Sequence, residues 1–82
     1  MIMDARYSLG VAHYGLGECD TARGYFKAVW PKMPDHAGAN YFLGLCNLCP
    51  GMVDIELARK YLGRAQSLGY DVPPEVLEKL RK

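Results

Sequence analysis

Ala39-Asn40-Tyr41-Phe42-Leu43-Gly44-Leu45-Cys46-Asn47-Leu48 decides the fold, because moved back by 34 positions it falls on Ala5-Arg6-Tyr7-Ser8-Leu9-Gly10-Val11-Ala12-His13-Tyr14. Ala39 then lies on Ala5, Tyr41 on Tyr7, Leu43-Gly44 on Leu9-Gly10 and Leu45 on Val11. A self-match at this period marks a helical repeat array, in which one helix pair cannot bury its apolar face alone and stacks on the next. The expectation is an all-α chain: two helix pairs followed by a short capping helix.

Outward from that stretch the punctuation agrees. From Asp4 to Leu16 apolar residues recur at helical intervals on two faces, Leu9, Ala12, His13 and Leu16 on one, read as the packed stripe, and Tyr7, Val11 and Tyr14 on the other. Gly15 and Gly17 end this helix, and Asp20 is expected to cap the next, which carries Ala22, Phe26 and Val29 inward until Pro31 and Pro34 stop it. Asp35 is expected to open the second pair, whose first helix runs from about His36 to Leu48. Pro50-Gly51 makes a turn, and Asp54 caps a helix with Ile55, Ala58, Leu62 and Ala65 inward. Gly69 occupies a left-handed cap position with Tyr70 folding back on the last turn. After Asp71-Val72-Pro73-Pro74 a final helix shows one apolar stripe, Val76, Leu77 and Leu80, with Glu75 near its positive end and Lys79, Arg81 and Lys82 near its negative end.

These boundaries give repeat one at about 3–34, repeat two at about 35–70 and the capping helix at about 73–81, all within one small domain of 82 residues. A helical pattern that begins within the first residues is what a domain cut from a longer protein would show. The net charge is +1 with both signs interspersed, so neither nucleic acid nor a membrane is expected as a partner. No apolar run reaches transmembrane length. Three cysteines, an odd number, point to reduced thiols and a cytoplasmic setting.

The residues resemble a tetratricopeptide repeat, with its W-x2-L-G-x2-Y, A-x3-F and P pattern. Repeat one supplies Leu9-Gly10, Ala22-x3-Phe26 and Pro34, and departs at Arg6 and His13, where the pattern has large aromatics. Repeat two supplies Leu43-Gly44, Ala58-x3-Leu62 and Ala65, with Asn40 and Asn47 at the aromatic places and two extra residues in Pro50-Gly51-Met52-Val53. That longer turn and the ending Arg64 to Tyr70 are similar to the related Sel-type repeat. The resemblance implies an α/α superhelix in which Gly10, Gly44, Ala22, Ala58 and Ala65 allow close helix approach. It also implies a concave peptide-holding face formed by Tyr7, Val11 and Tyr14 in one repeat and Tyr41, Leu45 and Leu48 in the other. Members that clamp acidic chaperone tails use Lys and Asn at groove positions; here Tyr7, Val11, Tyr41 and Leu45 stand there, so an apolar or aromatic segment is expected instead of such a tail.

Chemistry-bearing constellations are thin. Cys46-Asn47-Leu48-Cys49 has the spacing of a redox pair or half a zinc site, yet Cys19, His13 and His36 offer no second pair of ligands in a matching spacing, and Cys46 suits a small buried position. His13 reads as a satisfied core or interface residue. Gly15-Leu16-Gly17 lacks the strand and further glycine of a phosphate loop. Arg23, Lys27, Arg59 and Arg64 read as a solvated helix face. The expected function is protein or peptide binding through the six groove residues, with no catalytic residues, metal or cofactor. The alternative is a piece of a longer array, or a self-associating scaffold with no ligand of its own.

Overall fold

The computed structural model describes residues 2–51 and 53–80, and side chains from residue 5 onward. Its five helices are α1 (Ile2–Gly15), α2 (Cys19–Val29), α3 (Ala37–Cys46), α4 (Ile55–Ser67) and α5 (Pro74–Lys79), and the described residues contain no strand. The chain is all-α. Met52 of the long turn, and Arg81 and Lys82 of the expected capping helix, lie outside the described residues.

α1 packs on α2 and α3 on α4, and the two hairpins join mainly through α2 against α3. Each hairpin is closed where a glycine meets a large side chain. A Cβ on Gly10 would lie 2.8 Å from the Phe26 ring, and one on Gly44 would lie 2.5 Å from Leu62 Cγ. Both separations are too short for any real carbon, so the two glycines set the helix spacing that Phe26 and Leu62 fill. Around them lie two clusters. Ala22, Phe26, Leu43 and Cys46 form the first, bridging the hairpins, and Ala58, Leu62, Ala65 and Val72 the second, at the C-terminal end. Phe26 and Leu62 are fully buried, each such side chain being worth about 1.5 to 3 kcal/mol of transfer free energy.

Gly17 (φ +81°) and Gly69 (φ +92°) stand just past α1 and α4. After each, the chain satisfies orphan carbonyls in the same way: Glu18 N–H donates to His13 O at 2.9 Å, and Tyr70 N–H to Ala65 O at 2.9 Å. Asp54 caps α4 as expected, accepting from Leu57 N–H at 3.1 Å. α2 and α3 start differently from expectation. The reversal at Gly17 is tight enough that α2 begins at Cys19, with Glu18 as N-cap, and Asp20 falls inside its first turn. α3 is capped by His36, whose Nδ1 accepts from Ala39 N–H at 3.0 Å, while Asp35 reaches out to Arg64 Nη2 at 2.8 Å.

Asn40 and Asn47, out of place for the repeat pattern, turn out to hold backbone. Asn40 is fully buried, donates to Pro34 O and His36 O at 3.0 Å each, and accepts from Trp30 Nε1–H at 3.0 Å. Asn47 donates to Leu43 O at 2.9 Å and ends α3 two residues before Leu48. Asn40, with its amide oxygen and nitrogen both bonded, fixes the junction between hairpins more tightly than apolar contact alone.

The cysteines correct the sequence reading. Cys19, at the start of α2, is joined to Cys49, just past α3, by a disulfide across a Cα–Cα distance of 6.7 Å. Stacking α2 against α3 brings these two ends together, which the parity of the cysteine count could not reveal: one thiol is left over and two are paired. The remaining thiol, Cys46, is buried.

Candidate functional site

The six expected groove residues are all half-buried, neither core nor fully exposed. Three of them converge on a residue the sequence reading passed over, Phe42. Its ring centroid lies 6.1 Å from Tyr7, 5.6 Å from Tyr14 and 5.2 Å from Tyr41, each edge to face, and its inner face stacks on Phe26 at 5.3 Å. Tyr41 in turn stacks on Tyr70 at 4.4 Å. A sheet of aromatic rings therefore runs from α1 across α3 to the segment before α5. Edge-to-face and offset pairs are the favoured arrangements of such quadrupoles, so this sheet is stiff as well as apolar.

The trios are not equivalent in depth. Tyr7, Val11 and Tyr14 pack against the first cluster, and Tyr7 also lies 4.6 Å from the His36 ring and crosses over the N-terminal turn of α3, where Gly38 leaves room for its hydroxyl. Tyr41 and Leu48 pack against the second cluster. Leu45 sits one turn on from Tyr41 on α3 and is half-exposed. Leu48 lies beyond the helix, in the turn after Asn47, so only Tyr41 and Leu45 of the second trio are presented by α3 itself.

Electrostatics match this placement. Burial raises the hydroxyl pKa of Tyr7, Tyr14 and Tyr41, and close neighbours raise it further: Tyr70 for Tyr7, Cys46 for Tyr14, and Tyr70, Tyr14 and Glu75 for Tyr41. The hydroxyls stay neutral donors and acceptors through the physiological range. Cys46, beneath this face, is pushed up to about 11 by burial, with Arg23 pulling the other way, so the thiol is held protonated and unreactive.

The stripe expected to be packed, Leu9, Ala12, His13 and Leu16, faces outward. Leu9 is 45% and Leu16 73% exposed. His13 is satisfied locally: its Nδ1 meets Glu18 Oε1 at 2.5 Å and its ring stacks on Tyr25 at 5.5 Å. The helix is apolar on both sides, and the covered side is the one carrying the tyrosines. Of the basic residues expected on a solvated helix face, Lys27, Arg59 and Arg64 are exposed and Arg23 is half-buried. Arg64 Nε–H donates to Pro34 O at 3.2 Å, Arg59 Nη2–H donates to Leu80 O at 2.7 Å, and Arg23 stands 4.0 Å from Asp20. Among the described residues no group of three or more His, Cys, Asp or Glu side chains is placed to hold a metal ion, and no helix is long and apolar enough to cross a membrane.

No family model, curated protein or solved structure matches the chain. Phe42 could have been found from its own helical spacing, one turn from Leu45 and Cys46; Tyr70, read only as part of a helix cap, carries no repeat signal.

Proposed function

We propose that this chain is a tetratricopeptide-like interaction module that binds an apolar or aromatic segment of another protein along the α1–α3 face, through Tyr7, Val11, Tyr14, Tyr41, Leu45 and Leu48. The observation that carries the reading is the continuous ring surface from Tyr14 through Phe42 and Tyr41 to Tyr70, half-exposed and stiffened from below by Phe26. Amphipathic rings held rigid lose little entropy on binding and serve as interface anchors. Binding, and not bond-making, is the work such a surface supports. The Cys19–Cys49 bond supports an oxidising compartment over the reducing cytosol expected from the cysteine count.

A selection from a displayed random-peptide library tests the reading. Enrichment of aromatic and aliphatic peptides that bind the unmodified protein, and bind the Leu45→Glu variant at least about tenfold more weakly, supports it; enrichment unaffected by Leu45→Glu contradicts it. The self-associating scaffold is a second reading, favoured by the exposed side of α1.

A further inference from the structure

The period of 34 residues makes each position of α1 comparable with one of α3, and the comparison isolates a face with nothing on it. Ala39, Leu43 and Cys46 are fully buried, Leu43 and Cys46 in one cluster with Ala22 and Phe26 of the preceding hairpin. Their counterparts Ala5, Leu9 and Ala12 are exposed, and Leu16 extends the same line past the end of α1. Beside them α2 contributes to an open cleft lined by Arg6, Thr21, Gly24, Tyr25 and Ala28. At the corresponding places on α4, Tyr61 meets Trp30 edge to face at 5.8 Å, Lys60 Nζ lies 5.9 Å over the same ring, and Arg64 pairs with Asp35. The sites that engage a preceding hairpin in the second pair are unengaged in the first.

The other end of the stack is closed. Val72 is buried with Ala58, Leu62 and Ala65, and Val76, Leu77 and Leu80 pack over them. That cover leaves the outer side of α1 as the open apolar end of the stack; two copies that meet there about a two-fold axis perpendicular to α1 place their α1 helices antiparallel.

We propose that two copies of this chain associate through Ala5, Leu9, Ala12 and Leu16 of α1, open end to open end. The sizes along the stripe are self-complementary in this arrangement: with the axis between Leu9 and Ala12, Leu9 faces the partner's Ala12 and Leu16 faces the partner's Ala5. Every large side chain meets a small one, which lets the helices approach closely with little void. Charge agrees. Arg6 lies toward one end of the stripe and the exposed Asp20 past the other, Glu18 being held by His13, so the antiparallel arrangement sets Arg6 toward the Asp20 end of the partner and opposes the helix dipoles. Each copy has one open end, so the association stops at two. It does not depend on the α1–α3 aromatic face, so either can fail alone.

Sedimentation equilibrium of the full 82-residue chain is the test. The expected result is a concentration-dependent rise from 9.2 kDa toward twice that mass and no further. Leu9→Glu, and separately Ala12→Lys, each at an exposed position and so without loss of helix, weaken the association at least about tenfold by placing a charge against an apolar surface. Leu9→Glu combined with Ala12→Lys restores it, because each glutamate then faces the partner's Lys substituent. A strict monomer at about millimolar concentration overturns the proposal and leaves the face to a helix of another protein; a dimer indifferent to Leu9→Glu, or one the double variant does not restore, also overturns it.

Discussion

The two hairpins are built on one plan and differ in what covers them. In each, a glycine on the first helix seats a large side chain of the second, Gly10 against Phe26 and Gly44 against Leu62. In each, an alanine precedes that side chain by four residues, Ala22 and Ala58, and both are fully buried. Yet Leu43 is fully buried while Leu9, at the same place in the plan, is 45% exposed, and fully buried Asn40 stands where the first hairpin has a half-exposed Arg6. The repeat plan fixes how a hairpin closes on itself. Whether its outer side is core or surface is decided by the neighbour, which the repeat unit does not encode.

Paired substitutions at equivalent positions sharpen this. Leu43→Ala should cost about 3 to 5 kcal/mol, as a cavity in a packed junction does, whereas Leu9→Ala should stay within about 0.5 kcal/mol. Urea midpoints of the two variants, measured at low protein concentration, check the difference; equal costs would mean that α1 is covered as α3 is.

The disulfide ties the hairpins together across the α2–α3 junction, its ends 30 positions apart in the sequence. In the chain-entropy account a loop of that length is worth about 3 to 4 kcal/mol. Reductant, or Cys19→Ser, should therefore lower the thermal midpoint by roughly 15 °C, the opposite of what reduced thiols would give. An unchanged midpoint would show the bond to be unimportant.

Asn40→Ala should cost about 1 to 3 kcal/mol, since it leaves Trp30 Nε1–H without its acceptor and takes one of two donors from each of the carbonyls of Pro34 and His36. Arg6→Ala, at the equivalent position, should be near neutral. Denaturation curves of both separate a structural staple from a surface residue.

A smaller effect is set by pH. The Cys46 thiol is raised from an ordinary value near 9 to about 11, so the folded state holds its proton more tightly than the unfolded state does. Its contribution is fully present below about pH 9 and is lost as pH rises toward 11; the raised tyrosines act in the same direction from about pH 10 upward. Stability should fall over that window, and Cys46→Ala should flatten the part that begins near pH 9, because the first hairpin has only Ala12 at that place.

Most of the helices were legible in the sequence. The apolar period, Gly69, Pro50-Gly51 and the Asp54 cap act within a few residues, and the chain obeys them. The errors have a common cause. Asp20 and Asp35 are good caps by local chemistry, but a tight glycine reversal and a pull from Arg64, 29 residues away, moved the boundaries. The inversion of the two α1 stripes and the pairing of Cys19 with Cys49 are likewise set by how hairpins stack. Of the aromatic surface, Tyr7, Tyr14 and Tyr41 were singled out by the repeat resemblance; Phe42 and Tyr70 join them only through packing between α1, α3 and the segment before α5.

The central claim is that the ring surface of α1 and α3 is there to bind, and Leu45 probes it most directly, being presented by α3 beside Tyr41 and half-exposed. The measurement is the affinity of a peptide selected on the unmodified protein for Leu45→Ala, with the urea midpoint of the same variant. The account predicts a midpoint shifted by less than about 1 kcal/mol and binding weakened by more than about 1 kcal/mol, as at an interface anchor. A large loss of stability with undiminished binding by the folded protein would contradict it.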